Sequence, residues 1–286
     1  MRRAAILIAV SSIAAAMFAN NHIRVLHGYT SSAAVVEPCV PDPFQKPKGD
    51  ELTQEYHQAY ALSPTGRVSI ANINGDVHIN VWDQNSVKVD AIKRAYDQQS
   101  LTEVTIEVTN APDSVMIKTR YPDNSGNRDR NRGWASVEYT LTIPRGASLD
   151  GAELVNGSLD IEGVQGDVHA SLVNGEVKAD GLGGEVKIST VNGSVEANVA
   201  RLGEAKNVTL NSVNGSITLI VPTGANADVK ASTIHGKITN DFGLAVEEGE
   251  YVGRNLSGQI GSGGVRVRLN NVNGSIAIKR GGGMLM

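Results

Sequence analysis

The sequence predicts an all-β fold: a β-solenoid, a parallel β-helix-like stack with about nine residues per strand and two strands per coil. Three observations predict it. Gly157, Gly166, Gly175, Gly184 and Gly193 are each nine residues apart, with Asn before every second one, and a fixed period of this kind marks a repeat architecture. Around these glycines apolar and polar residues alternate with period two, the pattern of a half-buried strand rather than of a helix. The chain is 41% hydrophobic but only 4% aromatic, a composition suited to thin layers of Val, Ile, Leu and Ala.

In chain order, Arg2 and Arg3 precede an apolar run from Ala4 to Ile13 and then Ala14, Ala15 and Ala16. A basic start, a short apolar run and small residues make a secretory signal peptide over residues 1–19. Residues 20–50, with Pro38, Pro41, Pro43 and Pro47, read as a disordered Pro-rich tether. Cys39 is the only cysteine, so no internal disulfide is possible. Val36-Glu37-Pro38 before it is a poor fit to a lipid-anchor site. Residues 51–286 read as a single β-strand-repeat domain.

Within that domain an outlying repeat copy, Ile73-Asn74-Gly75, leads into Val77 and Ile79. The period then breaks, and strands are expected at Val87–Ala91, Val104–Val108, Val115–Thr119 and Val137–Ile143. A polar loop carrying Arg128, Arg130 and Arg132 lies before the last of these. No helix is expected after the signal segment. In the regular repeat the predicted inward set stands at three positions. Val155, Val164, Val173, Leu182 and Val191 lie two residues before each glycine. Leu159, Val168, Val177, Val186 and Val195 lie two after it. Ile161, Ala170, Ala179, Ile188 and Ala197 lie four after it. Looser copies follow at Val213-Asn214-Gly215, Ile234-His235-Gly236 and Val272-Asn273-Gly274.

Asn-Gly suits tight turns, because Gly lacks a Cβ and Asn tolerates the left-handed region. It could close antiparallel hairpins, but the equal step favours corners of a parallel coil. The structural corner residues are therefore Asn74, Gly75, Asn156, Gly157, Asn174, Gly175, Asn192, Gly193, Asn214, Gly215, Asn273 and Gly274. Asn156, Asn174 and Asn192, 18 residues apart, are placed to hydrogen-bond up the stack. Gln165 and Gly183 would occupy the opposite corner.

The chemistry looked for is not found. The net charge of −4 lacks the clustered basic face that nucleic acid requires. The glycine repeat lacks the paired glycines and aspartate of a calcium-binding roll. Asp160, His169, Lys178, Lys187 and Glu196 share one outward repeat position and read as one mixed, solvated face. His235 takes the place of a corner Asn, and the other histidines have no metal-ligand spacing. No nucleophile elbow or phosphate loop is present. No catalytic, cofactor-binding or metal residue is assigned, and no cofactor is expected.

Four passages together resemble a known family. They are "ANINGDVHINVWDQNSVKVDAIKRA", "VEYTLTIPRGASLDGAELVNGSLDIEGVQGDVHASLVNG", the later Asn-Gly strands and "IGSGGVRVRLNNVNGSIAIKR". The chain is similar over roughly residues 58–280 to the bacterial putative-adhesin family of β-strand repeat domains, related to the head domain of auto-transporter adhesins. The resemblance implies an extracytoplasmic β-solenoid and transfers no catalytic residue. The function expected is a non-catalytic, exported envelope or surface protein acting in adhesion or as a scaffold. Its partners would be cell-surface or envelope components, or further copies of itself, with no transmembrane span in the mature chain. Two alternatives stay open: a carbohydrate-active β-helix enzyme, and a periplasmic sensor or regulatory partner of an envelope system.

Overall fold

A computed structural model describes residues 50–122, 135–202, 207–249 and 253–281. The signal segment, nearly all of the tether, Cys39 and Arg128, Arg130 and Arg132 lie outside the described residues.

The chain opens with β1 (Leu52–Ala61), β2 (Arg67–Asn74), β3 (Val77–Trp82) and β4 (Ser86–Ala95). A six-residue helix, α1 (Gln98–Glu103), follows, and then β5 (Thr105–Ala111), β6 (Ser114–Arg120) and β7 (Ala135–Pro144). The regular coils are β8 (Ser148–Asn156) with β9 (Leu159–Glu162), β10 (Val168–Asn174) with β11 (Val177–Leu182), β12 (Val186–Asn192) with β13 (Val195–Val199), and β14 (Asn207–Asn214) with β15 (Ile217–Val221). The chain ends with β16 (Ala227–His235), β17 (Ile238–Asn240), β18 (Val246–Glu248), β19 (Arg254–Ile260), β20 (Val265–Asn273) and β21 (Ile276–Arg280).

Two sheets result, each coil giving one strand to each. The sheet built from strands before the Asn-Gly corner, here the upstream sheet, has the order β18-β19-β16-β20-β14-β12-β10-β8-β2-β6-β5. The downstream sheet runs β1-β4-β7-β3-β9-β11-β13-β15-β21-β17. Neighbouring coils pair in parallel and in register, Val177 opposite Val195 on one side and Leu159 on the other. Between the sheets lies one aliphatic core, in which Val168, Val177, Val186 and Leu210 are fully buried.

The stack departs from simple winding at both ends. The β2–β3 coil lies between β6–β7 and β8–β9, and the β20–β21 coil lies between β14–β15 and β16–β17. The chain therefore steps over a layer twice. It uses the same residue pattern each time, Pro144-Arg145-Gly146-Ala147 and Pro222-Thr223-Gly224-Ala225. Each is a tight turn, closed by Ala147 N–H to Pro144 O at 2.9 Å and by Ala225 N–H to Pro222 O at 3.0 Å. Beyond the inserted layers the pairing turns antiparallel: β1 with β4, β4 with β7, β5 with β6, β16 with β19 and β18 with β19. The purely parallel expectation fails there because winding gives way to hairpins, β5 with β6 and β18 with β19, and to strands that run back against non-consecutive neighbours, β4 against β1 and β7 and β19 against β16.

Three further expectations are corrected. A helix does occur after the signal segment. Asp97 caps it by accepting from Ser100 N–H at 2.7 Å, and Lys93 Nζ donates to the carbonyls of Leu101 and Val104 at 3.1 and 2.9 Å. It is too short to show a period in sequence. Second, the valines two residues before the Asn-Gly glycines, Val155, Val173 and Val191, do not face the core: Val155 is exposed and the other two are half-buried. The buried residues are one position earlier, Leu154, Leu172 and Thr190. Only at the opposite corner does the −2 position point inward, at Val164 and Leu182. Third, the outward residues divide between two faces. Asp160, Lys178 and Glu196 stand on the downstream sheet, and His169 and Lys187 on the upstream sheet.

Candidate functional site

The Asn-Gly corner generates the most regular surface of the molecule. Each strand before it ends on an Asn whose layer neighbour is another Asn. Asn156 Nδ2 donates to Asn74 Oδ1 at 2.9 Å, Asn174 to Asn156 at 2.9 Å and Asn192 to Asn174 at 2.8 Å. The ladder continues from Asn214 to Asn192 at 2.9 Å and from Asn273 to Asn214 at 2.8 Å. His235 stands beside Asn273 in the next layer. At the other end the Tyr121 hydroxyl lies 3.0 Å from Asn74 O and 3.3 Å from Asn72 Oδ1, its one proton going to either, and Asn74 Nδ2 donates to Ala135 O at 3.4 Å. Burial pushes this phenol up to about 12, so it stays neutral.

The glycines behind the ladder are dictated by the stacking. At Gly175 the backbone has φ +154, and a Cβ there would lie 2.0 Å from the carbonyl oxygen of Gly157 in the layer below. Gly157 and Gly193 are built alike, their Cβ positions falling 2.2 and 1.9 Å from the preceding layer's carbonyl oxygen. Inside the corner, polar side chains reach the glycine carbonyls: Ser212 Oγ to Gly193 at 3.1 Å, Thr233 Oγ1 to Gly274 at 2.9 Å and Asn271 Nδ2 to Gly215 at 2.6 Å. Thr190 Oγ1, in the same inner column, is buried and has no hydrogen-bond partner among the described residues.

Outside the corner runs an apolar column. Ile73, Val155, Val173, Val191, Val213, Val272 and Ile234 occupy the same outward position in seven successive layers. Five of them, Ile73, Val155, Val213, Val272 and Ile234, are between 36% and 49% exposed. Among the described residues Met116 is the sole large exposed apolar residue outside this column. Six steps of about 4.8 Å make the column roughly 29 Å long. Contiguous exposed apolar surface, unlike scattered single residues, marks an interaction site. This is the surface feature the sequence reading missed. The signal was present in the unbroken series of β-branched residues before Asn or His, but the alternation rule assigned the regular members of that series to the core.

The downstream face carries a shallow depression of about 330 Å³. Asp160, Glu162, Asp180 and Glu196 line it together with His78, Lys178 and Asn198. Carboxylates from three layers thus line one depression, with Lys178 set in register between Asp160 and Glu196. In the same column His78 Nδ1 lies 3.0 Å from Asp160. Asn198 Nδ2 donates to Asp180 at 2.6 Å. Glu162, Asp180 and Glu196 are exposed. A carboxyl pair used in acid–base catalysis sits in two contrasting environments, one of them apolar; three of these four carboxylates face solvent. Among the described residues, no group of three or more His, Cys, Asp or Glu could hold a metal ion.

Residues 153–279 match the family model described as Toastrack DUF4097. No curated protein matches the chain. Among solved structures, a "putative cell adhesion protein" from Clostridium sporogenes is 18% identical, with 80% of this chain and 100% of that one covered and a TM-score of 0.46. A "putative adhesin" from Bacteroides fragilis is 13% identical, covering 82% and 99% with a TM-score of 0.32. A "putative lipid binding protein" from Parabacteroides distasonis is also 13% identical, covering 82% and 98% with a TM-score of 0.26.

Proposed function

We propose that this chain, whose residues 153–279 match the Toastrack DUF4097 family model, is an exported, non-catalytic scaffold that works by presenting a long repetitive surface to envelope or cell-surface components. The observation that carries the reading is the exposed column from Ile73 to Ile234, set beside the asparagine ladder. A partner lying along it gains apolar burial from the valines and orientation from the amides. No helix of the described residues is long and apolar enough to cross a membrane, and the signal-like start directs the chain outward.

The test replaces Val155, Val213 and Val272 together with Thr, which keeps the β-branched shape, and measures retention of the full chain on intact cells. Retention falls at least fivefold while the melting temperature holds. Equal retention of variant and parent would remove the column from the function. Export is checked separately by mass spectrometry of the native N-terminus, where an intact Met1 would refute it.

A second reading, a carbohydrate-active surface, draws on the four carboxylates of the downstream depression. Polysaccharide turnover by the full chain, abolished by Asp160→Asn, would favour it over the scaffold.

A further inference from the structure

The two ends of the stack are finished differently. At one end the outermost strands, β17 and β18, have three residues each, a length that offers little template to another chain. At the other, β1 closes the downstream sheet with ten residues, all paired to β4 without a bulge. Among the described residues no strand pairs with its outer side. A strand in this position presents a row of unpaired backbone N–H and C=O groups. Proteins usually blunt such edges with Lys, Pro, bulges or short strands. β1, Leu-Thr-Gln-Glu-Tyr-His-Gln-Ala-Tyr-Ala, has no Lys, Arg, Pro or Gly.

We propose that β1 is a docking edge for a second copy of this chain, the two β1 strands pairing antiparallel about a two-fold axis at Tyr56 and joining the two downstream sheets. The occupant follows from the side-chain order. Antiparallel pairing about an axis normal to the sheet keeps like faces together, so one residue of β1 must face its own copy. With Glu55 on the axis, two carboxylates oppose each other, which is destabilising. With His57 on the axis, two imidazoles meet and Tyr56 faces Gln58 of the partner subunit. With Tyr56 on the axis, Glu55 faces His57 of the partner subunit twice, and the two Tyr56 rings meet. Leu52 then faces Tyr60 of the partner subunit, and Gln54 faces Gln58 of the partner subunit. Opposite charges and aromatic pairs directly across a seam each stabilise it.

The groups concerned are poised for this. Glu55 and His57 are exposed on the outer face of β1, His57 bonding Asp90 at 2.8 Å and Glu55 at 3.1 Å. Those two bonds, Asp90 first, raise the imidazole above its ordinary value. On the inner face Tyr56 and Tyr60 are half-buried with their hydroxyls 2.6 Å apart, which fixes both rings before a partner arrives. Like every isologous interface, the seam is closed by its own symmetry and ends at a dimer.

Sedimentation velocity of the full chain over a range of concentrations tests the proposal, with Glu55→Lys and His57→Glu as variants. The parent chain forms a dimer that dissociates on dilution. Each variant alone puts like charges across the seam and associates at least tenfold more weakly. Mixed in equal amounts, the two variants restore the dimer, because Lys in one copy then faces Glu in the other. Circular dichroism and melting curves matching the parent show that each variant is folded. A parent monomeric at every concentration would overturn the proposal. So would variants that dimerise like the parent, or a mixture that stays monomeric. Assembly larger than a dimer would place the contact elsewhere. The result is independent of the apolar column, which lies on the other sheet.

Discussion

At Gly175 the choice of residue is set by the layer beneath it as much as by torsion. A methyl group there would overlap the Gly157 carbonyl, 2.0 Å away, so the layers would have to separate at the corner, where Gly157 N–H bonds Asn174 O at 3.0 Å. Gly175→Ala should therefore cost at least about 2 kcal/mol in denaturant melts. The Asn-Gly pair was legible in sequence as a turn. What the sequence could not show is that the glycine is demanded by a neighbour eighteen positions away. The inner polar column gives a second test. Thr190 Oγ1 is buried without a partner among the described residues, whereas Ser212 Oγ reaches the Gly193 carbonyl at 3.1 Å. Thr190→Val keeps the shape and removes an unpaired hydroxyl, so it should be neutral or stabilise by about 1 kcal/mol. Ser212→Ala should cost about 1 kcal/mol. If the two variants shift stability alike, the inner column does not discriminate paired from unpaired hydroxyls.

At the scale of the strand, the nine-residue period concealed two unequal half-coils. Before the Asn-Gly corner three inward residues follow one another, Val168, Ala170 and Leu172; after it come Val177, Ala179 and Leu182. Alternation is broken across the turn, because Val173, Asn174, Gly175 and Glu176 carry the chain from one sheet to the other. Val164 and Val173 are identical residues at identical repeat positions, yet Val164 is buried and Val173 is not. Residue type could not separate them; only turn geometry does. The strands themselves were readable because period two persists within each, while α1 was not, since its six residues depend on the Asp97 cap and on Lys93 rather than on an apolar stripe. Val177→Asp and Val173→Asp expose the difference. The first buries a carboxylate between layers and should cost more than about 3 kcal/mol. The second sits at the surface and should cost less than about 1 kcal/mol. Equal losses would mean that Val173 belongs to the core after all.

For the whole molecule, the order of layers matters more than their number. In a solenoid wound in sequence, each repeat rests on the one before it, and stability is a sum of nearest-neighbour terms. Here the last coil is driven between two earlier ones: β20 pairs with both β14 and β16, and β21 with both β15 and β17. The strands from β16 to β19 therefore have no hydrogen-bonded ladder to the central coils except through β20 and β21. Cutting the chain after Gly263 removes only those two strands. In a sequentially wound stack this would strip one terminal layer and leave the layer below it intact. In this topology it should detach everything after Val221, because the connection Pro222–Asn226 spans two layers and does not set β16 against β14. Hydrogen exchange on the truncated chain should show amides of β16 and β19 unprotected, while those of β10 and β12 keep most of their protection. Retained protection in β16 would mean that it can dock directly on β14, and that the inserted coil is an addition to the stack rather than its keystone.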